Sequence, residues 1–301
     1  MKCSKWLAVY VAFLCCVIEL RAVVIFETYS PYHHILVLDQ GGFRTLSFDG
    51  STETRMLLAN RLRGHFEYTE YFHMPWIWNH EIKRVAMIGL GGGSTQRAYD
   101  FYYTNVMVDT LEIDPAVVSV AKKYFGVTES SRHKIRTEDG RVFLRRSVTN
   151  YDLILMDAYT TGRYGSSIPP HLTTREFFGI ASQRLTTNGV LAYNVIGQVQ
   201  GWHSDLVGAL YRTMKEVFPQ VYLFPANESQ NVVFVATKIA EPFDAARVRR
   251  EVAALIGAGT VKLPTFSLRT QSFMTHAPPT AATAPVLTDD RAPVEGLIGN
   301  D

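Results

Sequence analysis

A glycine-rich turn that follows an apolar run constrains the fold of this chain more than any other feature. The run 85–88 leads into the turn, and the next apolar segment, 107–111, ends at Glu112. This order predicts a strand, a tight turn, a helix, a second strand and an acid at its carboxyl end, which is typical of a nucleotide-binding α/β unit. The acid suits ribose hydroxyls, and glycines let the backbone approach a ligand closely. The glycines of the turn are Gly89, Gly91 and Gly93.

The turn taken alone has a second interpretation. Ser94, Thr95 and Gln96 stand where the dinucleotide fingerprint carries its third glycine. Such a turn also ends ordinary strands that bind nothing. Glu112 is the feature that favours the nucleotide-binding interpretation.

Composition excludes several classes of protein. The chain has 301 residues, a net charge of +2 and 47% hydrophobic residues, which is typical of a globular protein. The charge gives no reason to expect a nucleic-acid partner. The three cysteines all precede Val17, so the globular part has no disulfide framework or thiolate metal site. The histidines show no metal-binding spacing, and we expect no metal.

The N-terminus resembles a targeting segment. Lys2 and Lys5 precede the apolar run 6–18, which is shorter than the roughly 20 residues of a membrane-spanning helix. A basic flank before a short apolar core is typical of a signal peptide. Segment 1–22 is therefore predicted to be a signal or anchor, with export or membrane association through 6–18. A buried or partner-facing helix is the alternative.

The remaining chain divides into three predicted regions. Residues 23–75 are β-rich and predict a small N-terminal β-hairpin domain, in which 55–62 is a short helix or a further strand. Residues 76–240 alternate strands and helices, which predicts a doubly wound, Rossmann-like α/β domain with a largely parallel sheet. Residues 241–301 form a C-terminal extension, with 276–287 as a flexible connector rich in Ala, Pro and Thr.

Two more acids follow predicted strands. Asp139 and Gly140 come after the third strand of the α/β region, and Asp157 comes directly after the apolar run 153–156. Ligands of open α/β sheets bind beyond the carboxyl ends of the strands. An ordinary Asp-Gly turn or a helix cap is the alternative for each acid. The loop 158–170 has the length of a lid over such a site.

Together these features resemble the spermidine synthase (polyamine aminopropyltransferase) family, from about Val24 to Val235. The segments that carry the resemblance are the opening hairpin from Phe26 to Val37, Tyr68-Thr69-Glu70 with His73-Met74-Pro75, Glu112-Ile113-Asp114, Asp139-Gly140 and Asp157. The resemblance implies the fold of the S-adenosylmethionine-dependent methyltransferases. It also implies a homodimer formed through the N-terminal β region.

The resemblance further implies roles for individual residues. The glycine turn, Glu112 and Ile113 would hold the nucleoside ribose, and Asp139 with Gly140 would face adenine. Asp157 would bind the amine and act as the general base. Tyr68 would hydrogen-bond the amine, and Tyr159 is a further substrate-binding candidate.

Three positions depart from the family pattern at the amine side. Gly92 stands where the family carries an aspartate in the glycine turn, Thr160 stands where it carries a second loop aspartate, and Thr69 replaces a Gln or His. The ammonium charges of a polyamine would be poorly compensated in a closed site without carboxylates. Asp289 and Asp290, in a motif that resembles the C-terminus of a divergent bacterial branch, could fold back and replace the missing acids. An exposed tail is the alternative.

The leading hypothesis is aminopropyl transfer from decarboxylated S-adenosylmethionine to a small-molecule amine. Gly92 favours one rival, an S-adenosylmethionine-dependent methyltransferase acting on a non-polyamine substrate, because a donor that keeps its carboxylate would be repelled by an acid there. The other rival is a non-catalytic nucleoside-binding or membrane-assembly module.

Overall fold

The computed structural model describes residues 21–162 and 165–298. The predicted signal or anchor segment, apart from Arg21 and Ala22, lies outside the described residues. Within the described ranges, no helix is long and apolar enough to cross a membrane.

The chain opens with four antiparallel strands paired in chain order. These are β1 (Val23–Tyr29), β2 (His34–Gln40), β3 (Phe43–Phe48) and β4 (Ser51–Leu57). Left-handed glycines close two of the turns, Gly42 with φ 81° and Gly50 with φ 89°. The segment predicted as helix or strand over 55–62 is the end of β4 followed by a turn.

A bulge interrupts β4. Leu46 pairs with Thr54 and Ser47 pairs with Thr52, so Glu53 is an extra residue without a register partner. A bulge of this kind bends a strand and redirects a side chain.

The segment that follows differs from the β structure predicted up to residue 75. Residues Glu67–Ile77 form a 3₁₀ segment that is buried almost throughout. Its aromatic residues Tyr71 and Phe72 are fully buried against the larger sheet, and Glu67 forms an ion pair with Arg269 at 2.6 Å. Burial of these rings explains why the segment leaves the N-terminal sheet.

The larger sheet has seven strands in the order β12-β13-β11-β8-β5-β6-β7. Among its described strands only β13 runs opposite to the other six. The strands are β5 (Arg84–Ile88), β6 (Met107–Glu112), β7 (His133–Thr137), β8 (Tyr151–Met156), β11 (Leu185–Ile196), β12 (Gln220–Pro225) and β13 (Asn231–Thr237). A separate hairpin pairs β9 (Thr160–Gly162) with β10 (Gly165–Ser167).

Helices cover both faces of this sheet, as the α/β prediction requires. The 3₁₀ segment, α1, α6 and α7 bury one face, α3, α4, α5 and α8 bury the other, and α2 packs against the N-terminal sheet. The helices are α1 (Ser94–Tyr102), α2 (Pro115–Phe125), α3 (Gly140–Arg146), α4 (Arg175–Arg184), α5 (Ser204–Lys215), α6 (Ala245–Gly257), α7 (Phe266–Arg269) and α8 (Val294–Ile298).

The predicted connector 276–287 is packed onto the α/β domain. The Thr280 hydroxyl donates to the Ser204 carbonyl at 2.7 Å, and Leu287 is fully buried. The Leu287 amide also donates to the hydroxyl of Thr213 at 2.9 Å. Side-chain burial and these bonds outweigh the loop-forming composition, so the segment is not a flexible connector.

Candidate active site

One cavity of about 270 Å³ lies where the carboxyl ends of the parallel strands meet the N-terminal sheet. The sheet order β8-β5-β6-β7 arranges Asp157, the glycine turn, Glu112 and Asp139 in a row along this edge. Neighbouring strands lie about 4.8 Å apart, so the row spans roughly 14 Å. The residues predicted to bind the nucleoside or the amine all line the cavity, except Asp289, Asp290 and Gly93.

The glycine turn brings the backbones of β5 and β8 together. Gly89 has φ 97°, and a Cβ atom there would lie 2.1 Å from the Asp157 carbonyl oxygen. The Asp157 amide donates to the Ile88 carbonyl at 2.9 Å. Gly91 and Gly93 are also left-handed, with φ 50° and 73°, and Gly93 precedes α1. Only glycine leaves room for this close contact between the turn and the backbone of Asp157.

Gly92 has a different reason for lacking a side chain. Its amide donates to the Thr54 hydroxyl at 2.9 Å, and a Cβ atom would lie 2.6 Å from Thr54 Cγ2 and 3.0 Å from Phe125 Cδ1. The side chain of Thr54 on β4 therefore fills the space in which the family pattern carries an aspartate.

Glu112 is anchored by backbone amides. Its Oε2 accepts from Leu90 at 3.0 Å and its Oε1 accepts from Asp114 at 2.9 Å. Burial raises its pKa to about 7, although these amides act in the opposite direction. Each oxygen keeps a lone pair for a further donor, as ribose hydroxyls require. Ile113, 39% exposed, lies beside it on the cavity wall.

Asp139 caps α3 and also faces the cavity. Its Oδ1 accepts from the Val142 amide at 2.8 Å, and His171 Nε2 lies 2.9 Å from its Oδ2. The hydrogen bond with His171 is the main reason why the pKa of Asp139 is lowered. Gly140 packs against Ile88, and a Cβ atom added at Gly140 would lie 2.5 Å from Ile88 Cγ2. The cap that was the alternative interpretation is present, and adenine contact stays a prediction.

Asp157 is held by neutral partners. Tyr68 donates its hydroxyl to Oδ2 at 3.2 Å and Asn194 donates its side-chain amide to Oδ1 at 2.9 Å. Asn231 donates to Asn194 Oδ1 at 3.1 Å, and Tyr159 donates its hydroxyl to the Asn194 carbonyl at 2.9 Å. Desolvation raises the pKa of Asp157 to about 6. The arrangement supplies an oriented carboxylate whose proton affinity is suited to neutral pH.

The sequence patterns do not single out three polar residues of this region. Asn194 and Asn231 support Asp157, and Glu53 lines the cavity from β4. Asn194 had a usable signal, since it is a polar residue near the carboxyl end of an apolar strand. Glu53 had none, because only the bulge places its side chain there.

The predicted role of Asp289 and Asp290 in replacing the missing acids does not agree with the structure. Arg141 binds both oxygens of Asp289, at 2.7 and 2.5 Å, and the Thr174 hydroxyl donates to it at 2.7 Å. Asp289 lines a shallow depression beside α3 and Asp290 is exposed, so neither lines the main cavity. The ion pair with Arg141 fixes Asp289 at the surface.

Thr69 and Thr160, which also depart from the family pattern, line the cavity without adding charge. Thr69 bonds to the Phe66 carbonyl at 2.9 Å, and Thr160 begins β9. Within residues 21–162 and 165–298, no group of three or more His, Cys, Asp or Glu side chains is arranged to hold a metal ion.

The spermine/spermidine synthase domain model matches residues 65–238. The polyamine aminopropyltransferase of Vibrio vulnificus is 31% identical over 289 residues, which cover 92% of each chain. The chain belongs to the spermine/spermidine synthase family. This confirms the resemblance found in the sequence, and with it the class of aminopropyltransferase-like transferases.

Solved structures support the fold assignment. A probable spermidine synthase from Corynebacterium glutamicum aligns with a TM-score of 0.63 at 19% identity, over 84% of this chain and 95% of that chain. The spermidine synthase of Thermotoga maritima aligns with a TM-score of 0.61 at 22% identity, over 83% and 87%. The predicted Rossmann-like fold of the methyltransferase type, with its N-terminal β sheet, is confirmed.

Proposed function

We propose that this protein transfers the aminopropyl group of decarboxylated S-adenosylmethionine to a small-molecule amine. The row Asp157, glycine turn, Glu112 and Asp139 is the observation that carries the proposal. Its span of roughly 14 Å suits a donor with adenine near Asp139, ribose at Glu112 and the sulfonium over the glycine turn. The aminopropyl chain then points toward Asp157.

The reaction needs a neutral amine and a base. The nitrogen lone pair attacks the carbon next to the sulfonium, the carbon–sulfur bond breaks, and its electron pair stays on sulfur as a neutral thioether. The proton lost by the amine passes to Asp157, which is mostly ionised at pH 7 because its pKa is about 6. Since the sulfonium is its own leaving group, positioning supplies most of the acceleration.

Tyr68 and Asn194 keep that base in place. Each donates to one oxygen of Asp157, so the carboxylate has a fixed plane and a free lone pair on each oxygen. Burial and the charge of Asp157 raise the pKa of Tyr68 well above its usual value, so its hydroxyl remains a donor. We infer that Tyr68 also orients the amine, and that Tyr159 stiffens the wall behind it.

Product analysis by mass spectrometry tests this function. The protein is incubated with decarboxylated S-adenosylmethionine or S-adenosylmethionine and a panel of mono- and diamines. We expect methylthioadenosine and an aminopropylated amine only with the decarboxylated donor. Methylated products with S-adenosylmethionine would instead support the methyltransferase alternative. Ligand binding without any product would support the non-catalytic module.

We also propose that the protein is a homodimer through its N-terminal sheet. The edge strand β1 exposes Val23 and Val24, at 56% and 55%, and Tyr29 at 73%. An exposed apolar edge strand is a surface that another chain covers readily. Light scattering on the purified protein tests this, and a monomer would refute it. Export or anchoring through residues 6–18 stays a prediction.

A further inference from the structure

The C-terminal extension contacts the segment that carries Tyr68. The 3₁₀ segment Glu67–Ile77 packs against α7, and side chains of residues 265–272 bond to it at three points. Arg269 binds Glu67 and Glu70, Thr265 binds Glu70, and the Ser272 hydroxyl lies 3.0 Å from that of Tyr71. The extension lies beyond residues 65–238, which the domain model of the family matches, so the family assignment does not account for these bonds.

Two glutamates flank Tyr68 and lie on the other face of the segment. Glu67 and Glu70 line a second cavity of about 530 Å³, which Arg269 also lines. Tyr68 lines the active-site cavity instead. The segment is therefore a wall between two cavities, and a movement of the glutamates on one face displaces Tyr68 on the other.

Arg269 joins the two glutamates through its guanidinium. Its Nη1 donates to Glu67 Oε1 at 2.6 Å, and its Nε donates to Glu70 Oε2 at 2.5 Å. The side chains of Glu67, Glu70 and Arg269 are 0%, 11% and 11% exposed, so salt screens these charges little. Although desolvation acts in the opposite direction, hydrogen bonds to His65, Thr265 and Arg269 lower the pKa of the second glutamate to about 2. Without Arg269, two buried carboxylates would lose the cation that they share.

Tyr68 depends on its backbone for its position. The rings of Phe72 and Phe66 lie 6.2 and 6.4 Å from its ring, centroid to centroid, near the far end of the range for aromatic pairs. Its hydroxyl donates to Asp157 at 3.2 Å, which is long for a bond between two oxygens. A small shift of the segment would therefore break this bond.

We propose that Arg269 is a positioning residue that holds the Tyr68 hydroxyl against Asp157. It does so by fixing the two glutamates on the opposite face of the segment. The role rests on the aminopropyl transfer proposed above, in which Tyr68 orients the amine. Arg269 does not line the active-site cavity, so it acts on the reaction only through Tyr68.

Steady-state kinetics on a double-mutant cycle test this role, with the amine that gives most product in the panel above. Arg269→Gln should lower kcat about tenfold, because a misplacement of about 1 Å can cost up to 10²-fold. In a Tyr68→Phe background the same substitution should change kcat by less than about twofold, since the hydroxyl that it positions is gone. Calorimetry should show unchanged methylthioadenosine affinity in both backgrounds.

Two variants distinguish positioning from a general loss of stability. Arg247→Gln is the matched control, since Arg247 also lies between two glutamates, Glu241 at 3.0 Å and Glu251 at 3.9 Å, and does not line the active-site cavity. It should keep the wild-type kcat. Arg269→Lys keeps the charge but loses the planar fork, so it should fold even where Arg269→Gln does not, and it should still lower kcat.

Fluorine NMR reports the position of Tyr68 without turnover. In the full chain, 3-fluorotyrosine is placed at position 68 alone. Arg269→Gln and Arg269→Lys should shift or broaden its signal, whereas Arg247→Gln should leave it unchanged. An unchanged signal in both Arg269 variants would overturn the proposal, and so would an equal fall in kcat with and without the Tyr68 hydroxyl.

The two proposals fail in different ways. A wild-type protein that forms no product would refute aminopropyl transfer, while a fluorine signal that depends on Arg269 would still show that Arg269 positions Tyr68. Product formation at the wild-type rate by Arg269→Gln would refute the positioning role and keep the transfer.

Discussion

The two ends of the cavity are built in different ways. At the end proposed for the nucleoside, the backbone amides of Leu90 and Asp114 hold Glu112, and Asp139 bonds to the Val142 amide and to the His171 side chain. At the end proposed for the acceptor, side chains from separate segments hold the acid, with Tyr68 and Asn194 on Asp157. The nucleoside end is therefore fixed by the sheet itself. The acceptor end can change its charge pattern without changing the fold.

The largest expected effect is at the acceptor end. Asp157→Asn should lower kcat by about 10²- to 10⁴-fold, the usual contribution of a general base, while methylthioadenosine affinity stays within about twofold. Steady-state kinetics and calorimetry measure the two quantities. Asp290→Asn, an exposed loss of the same charge, is the control and should behave as wild type. A parallel loss of nucleoside affinity would show that the two ends are not separable.

The same variant should not be less stable. Desolvation raises the pKa of Asp157 to about 6, above its value in the unfolded chain, so ionisation opposes folding as the pH rises from about 4 to 6. Asparagine removes that opposition at pH 7. A higher Tm with lower activity would agree with this trade-off.

The sequence predicts the two ends of the cavity unequally. Glu112 ends β6, Asp157 directly follows β8 and Asp139 lies two residues beyond β7. The strand pattern and the rule for open α/β sheets therefore placed them together. Glu53 depends on a bulge, and its position required the register of β3 against β4. The predictions for 67–75 and 276–287 are wrong because tertiary burial decides the structure of both segments, in one case over the β pattern and in the other over a loop composition.

A further variant restores the aspartate that the family pattern carries at the position of Gly92. Gly92→Asp should lower the free energy of unfolding by about 1–3 kcal/mol, because its Cβ would overlap Thr54. In a double-mutant cycle, Thr54→Gly should make Gly92→Asp less damaging, with a coupling energy of about 1 kcal/mol. Denaturant unfolding measures each variant. Additive effects would mean that Thr54 does not close this space.

The pH dependence distinguishes the base from the acceptor's own ionisation. Asp157 accepts a proton only when ionised, so the advantage of wild type over Asp157→Asn should fall about fivefold between pH 6 and pH 5. Taking the ratio of the two rates cancels the ionisation of the amine. A ratio that stays constant over this range would remove Asp157 as the base.

The smallest effect is expected outside the cavity. Asp289→Asn breaks an ion pair whose acidic side chain is 43% exposed, so the free energy of unfolding should fall by about 1 kcal/mol or less. The loss should shrink in 1 M salt, where the screening length is about 3 Å. The KM values for donor and acceptor should not change, because Arg141 holds Asp289 at the surface. A higher KM for the amine alone would instead place Asp289 at the acceptor end, where the glycine turn and the hairpin lack the acids of the family pattern.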